Sequence, residues 1–180
     1  MGIFSLLKPK KKYRPEEVLN AVHYNRGMLW EKIEQFKVQL GEIQGAATHE
    51  LGKPQEEDMQ EHYPLKHHFE GGLYTREVFM PKGHIIVSFI HKKQHPSFLL
   101  KGKVSLLNDD GVVETVEAPH TVFTQIGTQR VFYVHEDAIW TCVHKTNATT
   151  VEEAEKELLA DSYRELPKKV INKALEICQQ

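Results

Sequence analysis

Apolar positions recur along this chain with two different periods, and the switch between them divides it into parts. From Pro15 to about Gly45 the apolar residues fall at Leu19, Val22, Leu29, Ile33, Phe36, Leu40 and Ile43, with Arg26 filling the one remaining step. Spacings that alternate three and four draw a heptad seam along one face of a helix. Pro15 suits a first helical turn, Glu16 and Glu17 favour the positive end of the helix dipole, and Gly41 and Gly45 mark fraying or a stop. Two uses of the seam stay open: packing on the helix's own domain, or pairing with copies of itself, since about four heptads is the length at which a coiled coil becomes a fair alternative.

Residues 46–62 are polar, with Gly52-Lys53-Pro54 and the acidic Glu56-Glu57-Asp58, and read as a linker or surface loop. The period then becomes two. Leu73–Met80, Ile85–Ile90, Phe98–Leu100, Val104–Leu107, Val112-Val113, Thr121–Thr124, Val131–Val134 and Ile139–Val143 are short runs rich in β-branched and aromatic residues. Turn signals at Pro81-Lys82-Gly83, Asn108–Gly111, Gly127 and His135–Asp137 separate them. Short strands at near-regular spacing predict an all-β sandwich or barrel of about 80 residues, most economically a Greek-key jelly roll. From Val151 the pattern is helical again. Thr150 and Glu153 can form a capping box, Ala154, Leu158 and Leu159 follow at helical spacing, and Pro167 separates a second short helix from Lys169 to Ile177. The expected division is a basic tail over 1–14, an amphipathic helix and linker over 15–62, a β-barrel over 63–146 and a helical tail over 147–180.

Composition narrows the function classes. The chain has 180 residues, enough for one domain with helical appendages, and 23 Lys and Arg against 25 Asp and Glu give a net charge of −2. That balance argues against a nucleic-acid wrapper, and only Lys8, Lys10, Lys11, Lys12 and Arg14 form a basic cluster, most simply a solvated one. Cys142 and Cys178 lie too far apart in kind and position for a disulfide framework, so a reducing compartment is expected. The apolar opening Ile3–Leu7 is too short for a secretory core, position 6 is Leu6 where a myristoylation signal wants Ser or Thr, and no run approaches a membrane span.

The candidate chemistry centres on His91-Lys92-Lys93-Gln94-His95-Pro96, between two strand-like runs. Pro96 disfavours the helical region for His95, so the two imidazoles sit on extended or turning backbone, where they could grip a divalent metal from the end of one strand and the start of the next. The bland alternative is a pair of loop histidines at a solvated hairpin tip. No nucleophile motif, glycine-rich phosphate loop or paired CxxC is present, and no acid–base pair can be named.

Gly83, five residues, Phe89, one residue, His91, three residues, His95, six residues and Gly102 resembles the first motif of the cupin superfamily, and Gln125–Arg130, with Gly127 kept, resembles the second. The likeness covers roughly residues 70–146. It implies a cupin-like jelly-roll barrel in which four side chains converge on a metal, of which matched positions here supply His91 and His95 against Phe89 and Arg130. Phe89 cannot ligate and a cationic Arg130 would repel a metal. A third ligand would come from His144, or from His67 or His68, and three histidines suffice for a zinc or iron site with open positions. Alternation puts Ile85, Val87, Phe89 and His91 on one face. Arg130 offers a planar fork for a carboxylate or phosphate, unless it pairs with Glu77 or Glu136.

More narrowly, the blocks His67–Phe69, Tyr74–Glu77, Met80–Gly83, Ala118-Pro119, Gly127–Arg130 and Trp140-Thr141 resemble small cupin-like proteins encoded by tailed bacteriophages. That resemblance implies no enzymatic activity. The replacement of two of the four ligand positions, together with a heptad helix that an enzyme of this size would not need, points the same way: to a non-enzymatic virion or assembly component, homo-oligomeric or docked on other phage structural proteins through its N-terminal helix. Such a protein would sit in the host cytoplasm during assembly and then in the particle, with no specific nucleic-acid binding and no cofactor. The alternative is a small metal-dependent cupin enzyme of the isomerase or dioxygenase class, with one divalent transition metal on His91 and His95.

Overall fold

The computed structural model describes residues 26–43, 46–108 and 111–171. The basic tail, Leu19 and Val22 of the seam, Gly45, the centre of the Asn108–Gly111 turn, Cys178 and all of the second C-terminal helix beyond residue 171 lie outside the described residues. Pro167 opens the last described turn, its carbonyl accepting from the backbone N–H groups of Val170 and Ile171.

The chain is mainly β, with the antiparallel strands expected from the period-two runs and helices at both ends. In chain order it runs α1 (Arg26–Gly41), α2 (Glu57–His62), β1 (Leu65–Glu70), β2 (Leu73–Met80), β3 (Ile85–Val87), β4 (Ile90–His91), β5 (His95–Leu107), β6 (Val113–Glu117), β7 (His120–Thr124), β8 (Val131–Lys145), α3 (Val151–Leu158) and β9 (Leu159–Ala160), followed by a 3₁₀ turn at Tyr163–Glu165. All pairings are antiparallel. The main sheet has the order β1-β2-β8-β5-β6, with β3 also on β8 and β7 also on β5, and β4 pairs with β9.

Several runs that read as separate strands are continuous. β5 absorbs both Phe98–Leu100 and Val104–Leu107, and β8 carries straight through His135–Asp137, because each long strand serves different partners along its length. β8 pairs with β3 at one end, β2 at the other and β5 between them. β5 takes β7 at its start and β6 at its end. The strands bend where the β5–β8 register shifts between Leu99 and Val104. Gly102 makes that bend possible: its φ is +84°, and a Cβ there would lie 2.4 Å from the Asp137 carbonyl oxygen.

Two apolar layers meet on the sheet. One fills the barrel, with Tyr74, Met80, Ile86, Phe89, Leu99, Leu106, Phe132 and Trp140, closed at one side by Met59, Ala154 and Leu158. The other lies outside, where Leu29, Ile33 and Leu40 of α1 pack on Ile85, Val87, Leu107 and Val131. Leu29, Ile33, Phe36 and Leu40 of the heptad seam are therefore used on the chain's own barrel, while Ile43 beyond the helix is exposed. Burial of each such side chain contributes about 1.5–3 kcal/mol. The N-terminal helix is also tied to the C-terminal segment, through Trp30 stacked on Tyr163 at 3.9 Å and Lys37 Nζ donating to the Asp161 carbonyl at 3.5 Å.

The alternation expected for Ile85, Val87, Phe89 and His91 fails for a local reason. The strand breaks at Ser88-Phe89, so Ile85 and Val87 face α1 whereas Ile86 and Phe89 face the barrel interior. Residues 46–62, polar in sequence, carry α2, which Met59 and the adjacent Tyr63 anchor, both fully buried, and the polar His49 is buried as well. At α3, Thr150 Oγ1 accepts from the Glu153 N–H at 3.3 Å as the capping signal predicts, while the reciprocal carboxylate bond goes one residue back, from the Thr149 N–H at 3.0 Å. No helix among the described residues is long and apolar enough to cross a membrane.

Candidate metal centre

Three histidines converge at one end of the barrel interior, each delivered by a different strand. His91 closes β4, whose backbone is fastened on two sides. Its N–H donates to the Thr128 carbonyl at 3.0 Å and its carbonyl accepts from the Gly127 N–H at 2.8 Å, while Ile90 and His91 pair with Ala160 and Leu159 of β9. The Gly127 that carried the second motif thus supports His91 through its backbone, at a φ of +87°. His95 opens β5, held extended by Pro96 and paired with Thr124 of β7. His144 lies near the end of β8 opposite Tyr74. The register that pairs Ser97 with Cys142 brings His95 opposite His144 when continued by two residues, on the same face.

The three side chains are buried, with ring centroids 4.4 Å apart for His91 and His95, 3.9 Å for His95 and His144 and 5.9 Å for His91 and His144. One ring nitrogen from each lies within 4.8 Å of the others. Nδ1 of His91, Nε2 of His95 and Nδ1 of His144 are buried without a hydrogen-bond partner. Native interiors rarely leave such atoms unpaired, and each costs about 1–3 kcal/mol of lost solvation. On His95 the tautomer follows from its other nitrogen: Nδ1 donates to the Lys93 carbonyl at 3.1 Å, which leaves a lone pair on Nε2.

Electrostatics keep all three rings neutral. Burial is the first cause in each case: it holds His91 well below the ordinary range, His95 at about 4 and His144 at about 3. The neighbouring histidines lower His91 and His144 further, and the guanidinium of Arg130 lowers His91 and His95. Neutral imidazoles with unshared lone pairs are the form that ligates a metal. The donor set fits a transition metal with open positions, for which nitrogen ligands sit about 2.0–2.1 Å from the ion.

A cavity of about 50 Å³ extends from His91 into the barrel, between Arg76, Ile86, Phe89, Arg130 and Trp140. Arg130 is fixed in it, Nη1 donating to Thr124 Oγ1 at 3.0 Å with the guanidinium 5.9 Å from the centre of the Trp140 ring. Thr124 in turn bonds Ser97 Oγ at 2.9 Å, and Cys142 Sγ lies 3.5 Å from the same Ser97 oxygen. Of the acids named as pairing candidates for Arg130, Glu77 lies 2.9 Å from Lys66 Nζ. His67 and His68 stay apart from the cluster on β1, where His67 Nδ1 bonds the Tyr74 hydroxyl at 2.8 Å and His68 faces outward.

A second buried polar group lies beside this cavity, nearly unmarked in the sequence. Glu155 of α3 is only 1% exposed, accepts from the Gly52 N–H at 2.9 Å, and lies 3.3 Å from His49 Nε2 and 3.6 Å from Arg76 Nη2. His49 and Gly52 lie 106 and 103 positions from Glu155, and Arg76 is distant from it too, beyond any local periodicity. The alternation of β2 was the one signal that Arg76 could turn inward.

No protein-family model matches the chain, and no curated protein matches it. Among solved structures, part of it resembles an acetylacetone dioxygenase from Acinetobacter johnsonii, at 22% identity over 46% of this chain and 58% of that one, with a TM-score of 0.38. It also resembles an ectoine synthase from P. lautus, at 9% identity over 55% and 75% with a TM-score of 0.45. A third likeness is to the Cupin_2 domain of an XRE family transcriptional regulator from Enterobacter cloacae, at 12% identity over 44% and 93% with a TM-score of 0.38. The match spans under two thirds of the dioxygenase's own length.

Proposed function

We propose that His91, His95 and His144 hold one divalent transition metal, zinc or iron foremost, and that the chain is a small metal-dependent barrel enzyme acting on a small polar molecule, of the isomerase or dioxygenase class. The observation that carries this reading is the convergence of three buried, neutral imidazole nitrogens that have no hydrogen-bond partner. A metal bound there would act as a Lewis acid with coordination positions left for a ligand. The protein's own part is to keep the rings unprotonated by burial, to fix the His95 tautomer through the Lys93 carbonyl, and to exclude bulk water with Phe89, Phe132 and Trp140. In this reading the barrel over 63–146 carries the site, and the segments on either side brace it.

The expectation of a phage particle component rests on the resemblance of short sequence blocks, and its preference over an enzyme on two replaced ligand positions and a heptad helix that an enzyme of this size would not need. His144 restores a third ligand, and α1 is spent on the barrel wall. To test the metal centre, the protein is produced with zinc, iron, nickel or manganese supplied in turn, and its metal content measured after washing. About one metal per chain is expected, lost in the His95→Ala/His144→Ala variant while the barrel stays folded by circular dichroism. Substoichiometric content for all four metals refutes it.

A further inference from the structure

We propose that ligands reach the histidine cluster through a solvent-facing cleft at His144, and that Lys93 and Glu157 form the latch across it. The proposal rests on the reading of the cluster as a metal centre and names the side from which a small polar molecule arrives. Two cavities border the three histidines. The inner one, of about 50 Å³, touches His91 between Phe89, Phe132 and Trp140, with room for only about three or four waters. The outer one, of about 260 Å³, is about five times larger, and His144 lines it. Gln94, Lys145 and Asn147 around it are exposed, so it faces solvent. The buried His144 thus belongs to both the cluster and the cleft. Leu158 is the one apolar residue among the described lining residues, beside amides, a hydroxyl and charges of both signs. Such a lining suits a hydrogen-bonding molecule without a large net charge.

The turn between His91 and His95 is held differently on its two sides. Toward β4 the backbone is fixed: the Lys92 N–H donates to the Leu158 carbonyl at 2.8 Å, and β4 pairs with β9. Over the cleft the links are side chains. Lys93 Nζ donates to one carboxylate oxygen of Glu157, and the other oxygen accepts from the hydroxyl of Thr146, the residue after β8. These contacts join the turn, α3 and the end of β8 across the mouth of the cleft. Lys93 and Glu157 are 46% and 36% exposed, and an ion pair that open to water is weak and screened by salt. Swinging the two side chains apart therefore opens the cleft without disturbing the strands, the turn's backbone or the Lys93 carbonyl that fixes His95.

The test measures access in two ways on the full chain. The zinc-loaded protein is mixed with the chelator 4-(2-pyridylazo)resorcinol and zinc transfer followed by absorbance. The metal-free protein is treated with diethyl pyrocarbonate, which acylates neutral imidazole, and the rate at each histidine read by peptide mass spectrometry. Of the three cluster histidines, His144 should be acylated first. Lys93→Ala and Glu157→Ala should raise both rates roughly two- to five-fold, the shift that an exposed ion pair controls. Raising the ionic strength should speed the wild type and leave Glu157→Ala unchanged. Asn147→Trp, which puts an indole into the mouth from an exposed position, should slow both rates roughly three- to ten-fold. Circular dichroism identifies a variant that fails to fold, and Gln94→Trp then serves as the plug. A folded plug variant with wild-type rates, latch variants with wild-type rates, or acylation of His91 ahead of His144 overturns the proposal. Elemental analysis reports separately on the metal: a protein that takes up no zinc but shows the expected acylation pattern keeps the cleft and loses the metal centre. Zinc uptake with rates that none of the variants changes does the reverse.

Discussion

Replacing Ile33 by Ala puts the role of the N-terminal helix to a quantitative test. Ile33 is 1% exposed and sits between Leu29 and Leu40 on the face of α1 that covers Ile85, Val87, Leu107 and Val131. The substitution removes three carbons from a packed layer; at about 0.8 kcal/mol for each buried methylene the transfer loss is about 2.4 kcal/mol. The cavity left between a helix and a sheet that cannot fully close adds to this, giving about 3–4 kcal/mol in all, within the range for large-to-small core changes. Against a typical domain stability of about 5–15 kcal/mol this is a large fraction. Urea unfolding followed by circular dichroism should show a lower midpoint with unchanged slope. Val38 on the same helix is 62% exposed, so Val38→Ala should change stability by less than about 0.5 kcal/mol. If the seam served mainly to pair copies of the chain, the wild-type midpoint would instead rise with protein concentration, and Ile33→Ala would act chiefly on the sedimentation profile. A stability loss under about 1 kcal/mol in Ile33→Ala, or a strongly concentration-dependent wild type, refutes the packing described here.

Three further outcomes follow from particular contacts. Gly102→Ala should cost at least about 2–4 kcal/mol in chemical denaturation, because a left-handed φ and a Cβ 2.4 Å from the Asp137 carbonyl oxygen strain the bend together; a melt matching wild type would show that the strands separate freely there. For Glu155, burial pushes the carboxyl up, but the bonds from His49, Arg76 and the Gly52 N–H outweigh it and leave the group below its ordinary range. A depressed folded value means that its stabilisation is present above the ordinary carboxyl range near 4.5 and is lost as pH falls through the folded value. Glu155→Gln should therefore lower stability at neutral pH and flatten the acid limb of a stability–pH curve; parallel curves for the two proteins would contradict this. Thr150→Ala removes the side-chain acceptor for the Glu153 N–H and should cost about 1 kcal/mol, measured by the same denaturation, with no loss counting against the cap.

Burial and strand pairing decide between the two readings of the histidine pair and bring His144 beside it. His91 and His95 stand out in the sequence by spacing, flanked by Gly83 and Gly102, but that spacing alone fits a solvated hairpin tip equally well. What distinguishes the two readings is burial, and burial comes from residues distant in the chain. Leu158 accepts the Lys92 N–H at 2.8 Å, Glu157 pairs with Lys93, and β9 zips onto β4, so the turn is tied to the C-terminal segment, and the two imidazoles are buried although Lys93 and Gln94 between them stay exposed.

Local chemistry determined the elements. Period-two runs of β-branched and aromatic residues made strands, a three-four seam made α1, and Thr150 with its acidic neighbours started α3, because each signal acts over a few residues through backbone sterics and side-chain periodicity. The same local rules failed where partners decided. Strand runs fused into β5 and β8 because three neighbours supplied hydrogen bonds along each, and the face carrying Ile85 and Val87 turned outward because a helix from elsewhere in the chain offered it apolar cover. His144 was one of three candidate third ligands in the sequence. Only the antiparallel register of β5 and β8 places it, rather than His67 or His68, beside His95, since strand pairing is a long-range choice that no window along the chain contains. Glu155 and His49 were invisible for the same reason, and the alternation of β2 hinted only at the inward turn of Arg76: their meaning is a shared buried charge, and that exists only once the barrel and its C-terminal helix have closed on one another.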